Sequence, residues 1–177
     1  MKVGNLFMLA ALLPMLMLTG CKSDDDDVLI WDIYPITMYA YIADADGNNL
    51  LDPEVEGNIV DQPMTVEYKG MSYDVQWKTL WPNHSDTRAY MARFHGALHH
   101  PADVYNPASA DNPWVLEIGE LPGDEDYDET ILLKYKDKVF NIRVVNKFTW
   151  TKGKPNVDAV VYLNGQRLPD RRLKIVL

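Results

Sequence analysis

Residues 31–42 read WDIYPITMYAYI, and their alternation decides the fold class. From Ile36 onward one side of an extended chain carries Ile36, Met38, Ala40 and Ile42, and the other carries Thr37, Tyr39 and Tyr41. Successive side chains on a strand point to opposite faces. A period of two with bulky residues on both sides therefore predicts a strand covered, at least in part, on both faces. Asp44-Ala45-Asp46-Gly47-Asn48-Asn49 then reads as a turn, and residues 50–62 as a connection without a period.

The same period returns along the chain. PMTVEY and MSYDVQW flank Lys69-Gly70, which predicts a hairpin with glycine at a positive φ. Residues 81–86 break the pattern. Thr87–Leu98 resumes it, with Tyr90, Ala92, Phe94 and Leu98 on one side and Arg93 and His95 on the other. Residues 99–113 hold three prolines and read as a loop. Trp114–Gly119 reads as a short strand and Leu121–Asp128 as an acidic loop. Ile131, Leu133 and Tyr135 alternate, Lys136-Asp137-Lys138 turns, and Phe140, Ile142 and Val144 alternate back. DAVVYL and RLKIVL bracket Asn164-Gly165, a dipeptide typical of a tight hairpin. No amphipathic helix of useful length follows residue 27. Eight to ten short strands separated by turn signals predict an all-β domain over residues 31–177, an antiparallel β-sandwich of immunoglobulin-like kind, with a closed β-barrel as the alternative.

The first 20 residues have the layout of a secretory signal. Lys2 supplies the positive start, an apolar core runs from Leu6 to Leu18, and Thr19 and Gly20 are small. The core is short for a permanent span, which needs about 20 apolar residues. Leu18-Thr19-Gly20-Cys21 resembles the bacterial lipobox, and the resemblance implies that residues 1–20 are removed and Cys21 is lipidated. Buried acyl chains contribute about 0.8 kcal/mol per methylene, so several chains together anchor durably. The membrane partner is then reached through Cys21. Residues 21–30 form a tether in which Lys22, Ser23, Asp24, Asp25, Asp26 and Asp27 stay solvated through like-charge repulsion. Cys-Lys-Ser followed by acids also resembles the export signal of Bacteroidetes surface lipoproteins, which implies an outer-membrane, cell-surface location.

Removing residues 1–20 leaves 157 residues and moves the formal charge from −9 to −10. That length supports one domain with a real core. The acidic balance argues against a nucleic-acid partner, which needs a basic face. Cys21 is the single cysteine, so its lipidation leaves no disulfide and no thiolate metal site.

Three blocks in order, DADGNNLLDPEVEGNI before the strand pair around YKG, then GELPGDEDYDE, then KFTWTKGKP with YLNGQ, resemble a family of small Bacteroidetes surface lipoproteins of uncharacterised function. The resemblance covers roughly residues 31–177. It implies a sandwich fold and a surface address, and it carries over no catalytic residue.

Several residues suggest chemistry. Asp44, Asp46 and Asn48 have the alternating oxygen donors of a calcium loop, but glycine stands at the fourth position rather than the sixth, and turn geometry selects the same residues. Calcium is the one cofactor they raise; otherwise none is expected. Glu117, Glu120, Asp124, Glu125, Asp126, Asp128 and Glu129 crowd one stretch, yet a glycosidase needs two carboxylates at a set separation with pKa values pushed apart. His95, His99 and His100, with His84 upstream, raise zinc, and His95 and His99 are four apart, which would align them on a helix. The segment instead reads as a strand running into a proline loop, with no acid in the expected place. No nucleophile elbow and no phosphate loop is present. Most of the five tryptophans, ten tyrosines and four phenylalanines belong in a core. Trp81, Tyr105 and Trp114, beside Trp31 and Trp77, sit at strand ends or loops where exposed rings would bind a sugar or protein.

The resulting expectation is a non-catalytic module that binds a glycan or an envelope protein through loops 81–86, 99–113 and 121–128. An accessory subunit of a surface assembly, pairing through the strand Arg172–Leu177, is the alternative. A hydrolase is a third class, resting on the acids and histidines alone.

Overall fold

The computed structural model describes residues 31, 33–77, 92–103, 106 and 108–177. The lipobox, the aspartates of the tether, His84, Trp81, the loop 81–86 and Tyr105 lie outside these residues.

The described chain is all-β: β1 (Ile36–Ala43), β2 (Met64–Tyr68), β3 (Met71–Asp74), β4 (Ala97–Pro101), β5 (Trp114–Leu121), β6 (Tyr127–Tyr135), β7 (Lys138–Thr151), β8 (Lys154–Leu163), β9 (Gln166–Arg167) and β10 (Arg172–Val176). They form two sheets, in the orders β10-β1-β5-β4 and β3-β2-β6-β7-β8-β9. All pairings are antiparallel except β1 with β10. The sheets pack as a β-sandwich around one core. Ile36, Met38, Ala40 and Ile42 of β1, Leu116 and Ile118 of β5, and Leu173 and Ile175 of β10 meet Val66, Ile131, Leu133, Ile142 and Val144 of the larger sheet. Each such aliphatic side chain contributes roughly 1.5–3 kcal/mol when fully buried.

The tight turns follow from backbone chemistry. Lys69-Gly70, Lys152-Gly153 and Asn164-Gly165 each place two successive residues at positive φ, the pattern of a type I′ hairpin. Of the expected strand over residues 87–98, residues 87–91 lie outside the described residues and the next part is corrected: residues 92–96 are irregular, and β4 begins only after Gly96, whose φ of +86° breaks the extended chain. Residues 99–101 are likewise not loop. His99, His100 and Pro101 pair with Leu116, Val115 and Trp114, and the proline is tolerated because it ends an edge strand. β5 runs past Gly119 to Leu121 through a bulge, where Gly119 takes a φ of +118° and the register against β1 shifts. The acidic loop therefore shrinks to residues 122–126, with Leu121 in the core and Asp128 and Glu129 on β6.

The last expected hairpin is only half formed. Asn164-Gly165 joins β8 to the two-residue β9, and the chain then crosses to the other sheet, where β10 runs parallel to β1. β10 buries Leu173 and Ile175 completely or nearly so, which makes it core as well as edge. At the opposite edge Gln76 links the sheets, donating to the Ala97 carbonyl and accepting from the His99 amide.

Candidate functional site

Alternation in β1 sends Tyr39 and Tyr41 to the outer face of the four-stranded sheet, since Met38, Ala40 and Ile42 fill the core. The parallel register sets Arg172 beside Tyr39 and Lys174 beside Tyr41, so both cations share that face. Across β1, Val115 comes from β5, and Asp111 and Pro113 come from the β4–β5 loop. Together these residues line a pocket of about 430 Å³. Two phenol rings and an apolar patch thus sit between two cations and one carboxylate. Arg172 and Lys174 make no ion pair among the described residues. The Tyr41 hydroxyl donates to the Gly47 carbonyl at 3.4 Å.

The loop behind the pocket is built around Asn112. Its side-chain amide donates to the carbonyls of Asp103 and Asn106, at 2.9 and 3.0 Å, and its oxygen accepts from the Asp103 amide. This largely buried asparagine holds Asp111 and Pro113 at the pocket's rim.

A buried polar cluster continues the same face. Tyr39 pairs with Glu117 in register, and Glu117 is buried. Burial pushes the Tyr39 phenol above its usual value, and the nearby Glu117 carboxylate adds to the rise. His100 Nε2 lies 3.2 Å from Glu117 Oε2, its Nδ1 donates to the Pro101 carbonyl at 2.6 Å, and His95 Nε2 lies 3.9 Å from Glu117 Oε1. Burial pulls His95 below the usual imidazole value against the opposing pull of Glu117, and its Nδ1 is buried without a partner. His99 points the other way. Its ring nitrogens lie 3.2 and 2.7 Å from the carbonyl oxygens of Trp77 and Leu51, and its ring stacks on Trp114 at 4.6 Å.

Trp114 is thereby packed against the core, and the aromatic lining of the pocket comes from Tyr39 and Tyr41. Asp44 closes a turn: its Oδ1 accepts from the amides of Asp46 and Asn48, and its Oδ2 from the Asn48 side chain. Those hydrogen bonds, the Asn48 side chain first, hold the Asp44 carboxyl below its usual range. The acids of the 117–129 stretch do not converge. Asp128 binds Arg143, Glu129 binds Lys69, and Asp126 binds Lys147 and the Phe148 amide. Among the described residues no group of three or more His, Cys, Asp or Glu is arranged to hold a metal ion.

Of the pocket residues, Asp111 and Pro113 fall in a loop that the sequence marks out. Tyr39, Tyr41, Arg172 and Lys174 do not, because their convergence depends on a strand pairing between the two ends of the domain. Comparison with family models, with curated proteins and with solved structures returned no match.

Proposed function

We propose that the protein is a lipoprotein anchored through Cys21 in the outer membrane and displayed at the cell surface. Its β-sandwich is a non-catalytic module that binds an extracellular glycan in the pocket on the four-stranded sheet. The pocket's composition carries this reading. A concave site of about 430 Å³ suits a small ligand rather than a flat protein interface. Tyr39 and Tyr41 stand two residues apart on one face, about 7 Å along a strand, close to the length of one sugar ring. Arg172, Lys174 and Asp111 supply donors and acceptors for hydroxyl groups at the walls. Binding is favoured over hydrolysis because Asp111 is the one carboxylate among the lining residues and Glu117 is engaged with His100.

The test is a glycan array on the mature chain, followed by calorimetric titration of any hit. Tyr41→Ala and Arg172→Ala should each weaken binding by roughly three- to tenfold, the scale of one aromatic contact or one charge-assisted hydrogen bond. A chain that binds no glycan, or binds one equally well in both variants, refutes the assignment. Protease shaving of intact cells tests the address: loss of the domain with a periplasmic control intact is the expected result, and protection places it inside.

A further inference from the structure

The β7–β8 hairpin outgrows the sheet that carries it. β6 pairs with β7 only as far as Asn146, whereas β7 and β8 stay paired to Thr151 and Lys154. The face that buries Ile142, Val144 and Asn146 therefore continues beyond the core. It carries Phe148 opposite Val157 and Trp150 opposite Pro155. Phe148 and Trp150 pack edge to face at 5.7 Å, yet Trp150 is 56% exposed and Val157 39%. Lys152 lies in the turn at the hairpin tip beside this apolar face, while Lys147 and Lys154 fall on the hairpin's other face, Lys147 paired with Asp126, on a chain of net charge −9.

The entry of the chain into the domain lies at the same pole. A Cβ on Gly123 would meet the Tyr34 carbonyl oxygen at 2.4 Å and Ile33 Cγ2 at 3.0 Å, so residues 33–34 press on the β5–β6 loop. That loop is in turn held to the base of the hairpin. Asn146 donates to the carbonyls of Gly123 and Glu125, and Asp126 accepts from Lys147 and the Phe148 amide. Tyr34 and Trp31, beside the entry, are exposed at 77% and 37%.

We infer that this pole, with Trp150 and Phe148 at its apolar centre, seats on the lipid surface to which the chain is tethered. The inference rests on the lipid anchor at Cys21. Ten residues, 21–30, precede Trp31 and span at most about 36 Å when extended, so the entry pole stays within that distance of the bilayer. Tryptophan, tyrosine and lysine are the side chains that the membrane–water interface accepts, rings at headgroup depth and ammonium groups toward phosphate. Seating this pole leaves the tyrosine pocket on the flank of the smaller sheet, open to the medium.

The experiment uses the lipidated mature chain in vesicles of phosphatidylethanolamine and phosphatidylglycerol with brominated acyl chains. The Trp150 signal is the difference in fluorescence between the chain and its Trp150→Phe variant. Quenching of that signal by roughly twofold or more is expected for a ring at headgroup depth. Intact mass reports the lipid on Cys21 separately. A lipidated chain whose Trp150 signal is unquenched overturns the seating and leaves the anchor standing. An unmodified Cys21 overturns the anchor and the seating with it. A Trp150 signal that shifts with protein concentration in a Cys21→Ser chain without lipid assigns the face to a second copy, and also overturns the seating.

Discussion

Gly96 and Gly47 offer a controlled comparison, because both take almost the same left-handed φ, +86° and +89°, in different surroundings. A Cβ at Gly47 meets nothing within 4 Å, while one at Gly96 meets Tyr73 Cβ at 2.6 Å and Cγ at 3.3 Å. An L-residue in the left-handed region costs about 1–2 kcal/mol, offset by about 0.4–1 kcal/mol from the stiffer unfolded chain. Both terms are common to the two sites, so Gly47→Ala should lose roughly 1 kcal/mol. Gly96→Ala should lose that plus the overpacking term, about 1–3 kcal/mol more. The neighbour cannot relieve the clash by changing rotamer, since the contacted atom is a Cβ fixed to the backbone of β3. Displacing it also disturbs Phe94, whose ring packs on Tyr73 and Tyr68 at 5.2 and 4.3 Å, and the start of β4 with its histidines.

Urea unfolding followed by tryptophan fluorescence reads the difference directly. With a slope of about 2 kcal/mol/M, the Gly96→Ala midpoint should fall below that of Gly47→Ala by roughly 0.5–1.5 M at unchanged slope. A double-mutant cycle with Tyr73→Gly, which deletes the clashing atom, should return the overpacking term as a coupling of about 1–3 kcal/mol. Equal midpoints for the two alanine variants, or a coupling within about 0.3 kcal/mol of zero, would refute the reasoning.

Two further outcomes follow from the buried polar groups. Because burial lowers the folded pKa of His95, the unfolded chain holds that proton more tightly, and stability should drop as pH falls below about 6.5 and level off once the lowered value is passed. His95→Gln should flatten that part of a pH series of urea midpoints, and an unchanged slope would remove His95 as its source. Asn146 is fully buried and donates to two carbonyls, so Asn146→Ala should cost about 1–3 kcal/mol. Asn146→Asp should cost more at pH 7, since an acceptor-only charge would face two acceptors, and the gap between the variants should narrow at pH 4; a gap independent of pH would sink that account.

The fold was legible where the cause was local. Alternation at residues 36–42 and 131–144 places core residues by itself, and Lys69-Gly70 and Asn164-Gly165 announce their turns because few dipeptides accept two positive φ angles. The misreadings share one origin, in that local composition pointed one way and a tertiary contact decided otherwise. His99-His100-Pro101 looks like loop, but β4 is an edge strand, so its terminal proline costs no ladder bond, and both histidines find buried partners. Gly119 looks like a strand end, but β5 absorbs it as a bulge and continues to Leu121.

The pocket shows why the site was harder to read than the strands. RLKIVL alternates cleanly, so burying Leu173 and Ile175 necessarily turns Arg172 and Lys174 outward. What alternation cannot specify is the sheet they join. Had β10 closed a hairpin on β8 after Asn164-Gly165, the two cations would have lain on the outer face of the six-stranded sheet. The crossover after the short β9 instead carries them about 130 residues back along the chain to Tyr39 and Tyr41. Residues 168–171 connect β9 to β10, and Leu168 still donates its amide to Val161 of β8 before the chain turns away. Glycan binding that depends on both Tyr41 and Arg172 would therefore report the parallel β1–β10 pairing itself, since no local segment brings those two side chains together.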